Sequence, residues 1–174
     1  DLGEDIRITG LNATDLSQAV FSSLTLLPEQ YNIVALHGEI GVEIPLPRLQ
    51  NRFIDYLALG HIHCPQNIKG SPARYCGTPI PVSFDENYPH SISIVTLSDS
   101  NKTPHIRTIE VNNPWPLKTI PKEALPFEEA IEKLHDLSHD EKCYIRLHVQ
   151  IDHHAPANAM GQAHLATKGK AARF

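Results

Sequence analysis

The feature that most constrains this chain is a pattern used twice, in which a short apolar run closes on glycine and histidine. "YNIVALHG" (residues 31–38) carries Ile33, Val34, Ala35 and Leu36 and then His37-Gly38. "FIDYLALGHIH" (residues 53–63) carries a second such run and then Gly60, His61, Ile62 and His63. Short, largely apolar, partly β-branched runs of this kind read as strands buried on both faces of a sheet. If the two strands deliver their carboxyl ends to one edge, three imidazoles gather where α/β folds usually place ligands.

The histidine pair has its own geometry. In an extended chain residues two apart point to the same side, so His61 and His63 would present their rings in parallel, about 6–7 Å apart at the backbone. That span suits two neighbouring ions about 3.5–4 Å apart, as in two-metal phosphoesterase centres. Gly60 permits a tight departure from the strand. A lone H-x-H is weak as a metal signature. It gains weight here from the buried strand before it and from His37 at a matching strand end.

The rest of the pattern is α/β. "DIRITG" reads as a strand, followed by a turn and a helix carrying Leu16, Val20, Leu24 and Leu27 up to Pro28. Residues 41–50 read as a loop with a short helical turn. "ARYCGTPIPVSF" (73–84) reads as a strand to Gly77 and then a turn set by Pro79 and Pro81. "HSISIVTL" and "HIRTIEV" form a hairpin pattern. Three prolines in "NNPWPLKTIP" place a boundary near Pro116, dividing the chain into residues 1–116 and 117–174. Beyond it come a helix with Phe127, Ala130, Ile131, Leu134 and Leu137 on one face, an alternating strand in "CYIRLHVQI", a weaker helix interrupted by Gly161, and a strand start at "ARF".

Composition excludes several classes. With 174 residues, 41% hydrophobic and 20% charged, the chain is globular in character, and its apolar runs are too short to span a bilayer. The net charge of −5 speaks against gripping nucleic acid by bulk electrostatics, although bound divalent cations can supply local positive charge. Cys64, Cys76 and Cys143 have no C-x-x-C spacing, so a reducing cytoplasm is the simpler home. The start at Asp1 and the end at "KGKAARF" read as those of an excised piece.

Other polar residues have plainer readings. Arg74 and Lys69, near the site, could touch DNA phosphates, but read first as isolated surface cations; Cys64 could be taken for a soft ligand, but reads first as a small packing residue on the face opposite His63. Asp152, His153 and His154 form a second candidate cluster that reads first as a solvated turn, and Lys168, Lys170 and Arg173 read as a solvated face or simply a cut end.

"DYLALGHIHCPQ" followed by "RYCGTPIPVSFDE" resembles the end of the catalytic domain of calcineurin-like metallophosphoesterases, specifically the SbcD subunits of SbcCD nucleases. Those subunits show G-H-x-H and then Y-x-G-x-P-I-P-x-S-F-x-E, and "YIRLHVQID" resembles their smaller capping domain. The resemblance implies a partial metallophosphoesterase β-sandwich with flanking helices, followed by a truncated α/β capping domain. It implies that His37 and His61 bind one divalent ion, usually manganese, and that His63 binds a second. The activity it implies is metal-dependent hydrolysis of DNA phosphodiesters, as an exonuclease and endonuclease in repair and recombination. The implied partners are DNA and an SbcC-type ATPase, in a hetero-oligomer with homodimeric nuclease subunits and without a membrane. The family's D-x-H, G-D-x-x-D and G-N-H-D elements have no counterpart here. No catalytic residue is therefore assigned, and the chain alone is expected to be inactive and, with unpaired sheet edges, prone to self-association. The rivals are another metallophosphoesterase acting on a small phosphoester, and a non-catalytic docking module that keeps the fold.

Overall fold

The apolar runs become strands of separate sheets. The computed structural model describes residues 5–11, 24–44, 53–98, 102–151, 154 and 156–174. The chain divides into two units, one of residues 1–80 and 88–111 and the other of residues 81–87 and 112–174.

The first unit holds a five-stranded sheet of β1 (Ile6–Leu11), β2 (Tyr31–His37), β3 (Tyr56–Gly60), β4 (Gln66–Asn67) and β5 (Ala73–Tyr75), in the order β1-β2-β3-β5-β4. β1, β2, β3 and β5 run parallel, and β4 is antiparallel to β5. Register sets His37 opposite Gly60 and Leu59 opposite Tyr75, so three strand ends align at one edge. Val34, Leu36, Ile44, Ile54, Leu57, Leu59, Ala73 and Tyr75 form the core beneath. β2 is less enclosed than its sequence implied. Val34 and Leu36 are buried, whereas Ile33 and Ala35 on the other face are half-buried.

The expected helix before Pro28 falls mostly on residues 12–23, outside the described residues. Leu24–Leu27 has no regular structure, and Leu24 and Leu26 pack against the core as half-buried side chains. In the 41–50 segment Gly41–Glu43 forms a turn closed by a bridge between Ile40 and Ile44, and residues 45–50 lie outside the described set.

The same unit contains the hairpin β6 (Ser91–Thr96) with β7 (His105–Glu110), antiparallel as its pattern implied. Its faces are inverted relative to hydropathy. Ser91 is buried while Ile92 and Ile94 are exposed. The reason lies in Arg74, whose guanidinium takes hydroxyl acceptors from Ser93 and Thr108 and so draws the polar side of the hairpin inward.

The second unit builds β8 (Leu117–Pro126), α1 (Phe127–His135), β9 (Cys143–Gln150), α2 (Ala159–Ala166) and β10 (Ala172–Arg173). The three strands are parallel in the order β10-β9-β8, with the helices making the crossovers that parallel pairing requires. α1 buries Phe127, Ala130 and Leu134, and places Glu128 and Glu129 in its first turn and Lys133 and His135 in its last, as the helix dipole favours. Lys170 is not merely solvated: its ammonium donates to the carbonyl of His135, one of those the end of α1 leaves without an intrahelical partner, and to that of Leu137 two residues beyond. Among the described residues no helix is long and apolar enough to cross a membrane.

Candidate metal centre

The carboxyl edge of β2 and β3 brings two of the three candidate histidines together. His37 is the last residue of β2, and His61 follows the last residue of β3. Their ring centroids stand 5.3 Å apart at an interplanar angle of 82°. Two imidazoles sharing one ion, each nitrogen about 2.1 Å from it and each ring centre about 1.1 Å beyond, stand about 4.5–5.5 Å apart for ligand angles of about 90–120°. The observed spacing falls inside that window.

Glycine at position 60 is what permits it. A Cβ there would lie 2.8 Å from His37 Nδ1, so any larger residue would push the ring out of place. The His37 ring therefore rests with Nδ1 against Gly60 and keeps Nε2 on its outer side.

His61 does not continue the strand. Its φ is +102°, well beyond the 52° and 58° of Lys102 and Asn158, the other described non-glycine residues with positive φ. Such a backbone costs about 1–3 kcal/mol and persists only where its surroundings hold it, commonly at functional sites. The parallel presentation of His61 and His63 expected of an extended chain is thus replaced by a bend. Alternation fails at the next residue too: Cys64 is exposed rather than packed.

His63 is exposed, two residues beyond His61. Among the described residues no three His, Cys, Asp or Glu side chains stand close enough to hold an ion. Asp152 and His153 lie outside the described residues, and His154 is exposed. Lys69 is exposed, as expected of a surface cation, but Arg74 is not: only 6% of it is accessible.

The "RYCGTP" string supplies the scaffold behind the histidines, a role that periodicity alone did not reveal. Tyr75, 2% exposed, donates its hydroxyl proton to the Gly38 carbonyl at 3.0 Å and accepts from the Ile40 amide at 2.9 Å. One buried phenol thus pins the turn that follows His37. Burial pushes its pKa up, partly offset by the Ile40 amide. Gly77, with φ +74°, lies where a Cβ would meet the His63 carbonyl at 2.6 Å, and the next amide, that of Thr78, donates to that carbonyl at 3.0 Å. β5 and the turn after it therefore hold both histidine segments. The visible signals were a tyrosine ending a buried strand and a glycine two residues on.

Glu43 is a further group that sequence reasoning missed. The Glu39 amide, 2.7 Å from its carboxylate, does most to hold its pKa low; its own amide adds to this, burial opposes it, and the fields of His61 and His37 contribute least. An exposed carboxylate thus shares the electrostatic environment of the two imidazoles.

A concavity of about 490 Å³ elsewhere in the unit is lined by Asp55, Ser71, Pro72, Lys102 and neighbours. It lies toward the amino ends of β3 and β5, away from the edge that carries the histidines.

No family model matches the chain. It is 33% identical over 103 residues to the SbcD subunit of the SbcCD nuclease of Escherichia coli K12, covering 56% of this chain and 25% of that protein. The counterpart in Escherichia coli O157:H7 matches to the same extent. Against the SbcD subunit of the Rhodobacter capsulatus SbcCD nuclease the identity is 32% over 85 residues, 48% of this chain and 20% of the relative. The chain thus resembles the SbcD subunits of SbcCD nucleases, and spans about a quarter of the length of the curated relatives it matches.

Proposed function

We propose that this chain carries the later part of the phosphoesterase domain of an SbcD-type DNA nuclease within residues 1–116, and part of its capping domain within residues 117–174. The supporting observation is the His37–His61 pair at the carboxyl edge of a parallel sheet, in a chain that resembles nuclease subunits along about half its length. The five-stranded sheet, with the hairpin tied to it through Arg74, is in keeping with a partial metallophosphoesterase sandwich.

In this reading His37 and His61 hold one divalent ion and His63 contributes to a second, with manganese the expected metal. Such ions neutralise the charge that develops on the phosphoryl oxygens during phosphodiester hydrolysis. The chain's own contribution is orientation: Gly60 leaves room for the His37 ring, the backbone of His61 turns its imidazole toward that ring, and Tyr75 and Gly77 fix the segments on either side. Three neutral ligands leave the positive charge uncompensated, so acidic donors beyond these residues complete the centre, and the 174 residues by themselves do not catalyse. An SbcC-type ATPase in the cytoplasm is the proposed partner. It would supply duplex handling to a nuclease chain whose net charge of −5 grips DNA poorly.

The test is hydrolysis by the complete protein with manganese, comparing duplex DNA with a small aryl phosphodiester, for the natural sequence and for His61→Gln. Manganese-dependent cleavage of DNA that His61→Gln abolishes is the expected result. Cleavage of the small ester alone would point to another metallophosphoesterase. One observation favours a non-catalytic docking module instead: no three donors stand together among the described residues. Cleavage of neither substrate would establish that reading.

A further inference from the structure

Arg74 lies in β5 with only 6% of its surface accessible, and among the described residues its charge is housed without a counter-charge. Its Nε donates to Ser93 Oγ at 3.0 Å, one terminal nitrogen to Asn67 Oδ1 at 2.7 Å, and the other to Thr108 Oγ1 at 3.2 Å. All three acceptors are neutral. A guanidinium carries five N–H groups, so two remain without an acceptor among the described residues. A buried cation left in that state is costly unless an anion joins it.

The space for an anion is adjacent. A cavity of about 460 Å³ is lined by Arg74, Ser91 and Thr108, by Cys64 and Pro65, and by Glu110. Ser91 is 4% exposed, and its hydroxyl is buried without a hydrogen-bond partner among the described residues. An unpaired cation and an unpaired hydroxyl, supplied by β5 and β6 respectively, thus border the same cavity.

We propose that this cavity is a phosphate-binding pocket in which Arg74 gives charge and two N–H donors and Ser91 gives an O–H. Donors arriving from two different strands suit a tetrahedral oxyanion better than a planar carboxylate, and the guanidinium fork is well matched to phosphate. The exposed Glu110 carboxylate opposes any anion there and limits its affinity. Cys64 and Pro65 directly follow His63 in the chain, so the pocket borders the segment that carries His63 and deepens the nuclease reading by offering a further phosphate contact. It rests on that reading only for the source of the phosphate. A plain structural role, in which Arg74 ties β5 to the hairpin, needs neither Ser91 nor an anion.

The experiment titrates the complete protein, in EDTA and without divalent ions, with inorganic phosphate and separately with a dinucleoside phosphodiester. Binding is read by calorimetry and by the NMR signal of the Arg74 Nε–H. Saturable binding that moves this signal is expected. Ser91→Ala should weaken it about fivefold, the worth of one neutral hydrogen bond, while leaving thermal stability unchanged or higher because the hydroxyl bonds nothing among the described residues. Glu110→Gln should tighten it about threefold by removing a partly screened repulsion. Tighter binding of the diester identifies a nucleic-acid strand as the source, and binding of inorganic phosphate alone identifies free phosphate; both outcomes support the pocket. No saturable binding of either anion, or binding indifferent to both substitutions, overturns it. No turnover or metal enters the measurement, so its failure leaves the nuclease reading standing.

Discussion

Tyr75→Phe isolates the scaffold behind His37. The substitution keeps the ring that packs in the core and removes only the hydroxyl, so no cavity opens. Two groups then lose their partner: the Gly38 carbonyl, at a buried residue, and the Ile40 amide, at a half-buried one. Leaving a buried polar group unpaired costs about 1–3 kcal/mol, with the half-buried amide near the lower end, so the sum is about 2–4 kcal/mol. With a urea slope of about 2 kcal/mol per molar, the midpoint should fall by about 1–2 M. Hydrogen exchange at the Ile40 amide should accelerate in step. The alkaline limb carries a second signature. Because the folded phenol titrates above its ordinary value of 10.0, the stability it contributes is fully present below that pH and is lost as pH rises through the folded pKa. The Phe variant should lack this loss. A midpoint shift worth less than about 0.5 kcal/mol, with unchanged Ile40 exchange, would refute the claim that this hydroxyl holds the turn.

Three further substitutions test separate contacts. Gly60→Ala sets a methyl group 2.8 Å from His37 Nδ1 and should lower divalent-ion affinity of the complete protein about tenfold or more, read by calorimetry, with folding retained. Gly77→Ala forces an L side chain into φ +74° and against the His63 carbonyl, and should destabilise by at least about 2 kcal/mol in urea melts. Glu141 accepts a hydrogen bond from Lys118, which is the main reason its pKa sits below 4.5. Its contribution is therefore present above that value and lost as pH falls through the lowered pKa. Glu141→Gln should cost at most about 1 kcal/mol at pH 7 and flatten the acid limb of a stability profile below pH ~4.5.

Much of the strand layout was legible because it depends on local pattern. The apolar runs before His37 and Gly60, the paired runs of the hairpin, and the spaced apolar face from Phe127 to Leu134 each carry their own period. What escaped depends on partners distant in sequence. Arg74 reads as a surface cation until Ser93 and Thr108, 19 and 34 residues away, are seen to accept from it. The outward isoleucines of the hairpin follow from the same contact. The bend at His61 was hidden because a two-residue period assumes an extended backbone, and positive φ at a histidine leaves no compositional trace. The same assumption misplaced Cys64. Tyr75 and Gly77 stood in plain view, but their partners, Gly38, Ile40 and His63, become visible only through the parallel register.

The central claim is that His37 and His61 share an ion, and the direct measurement is anomalous scattering from crystals of the complete protein grown with manganese. The account predicts a peak with a nitrogen of each ring about 2.0–2.3 Å away. A manganese peak that touches neither ring, or only one of them, would contradict it.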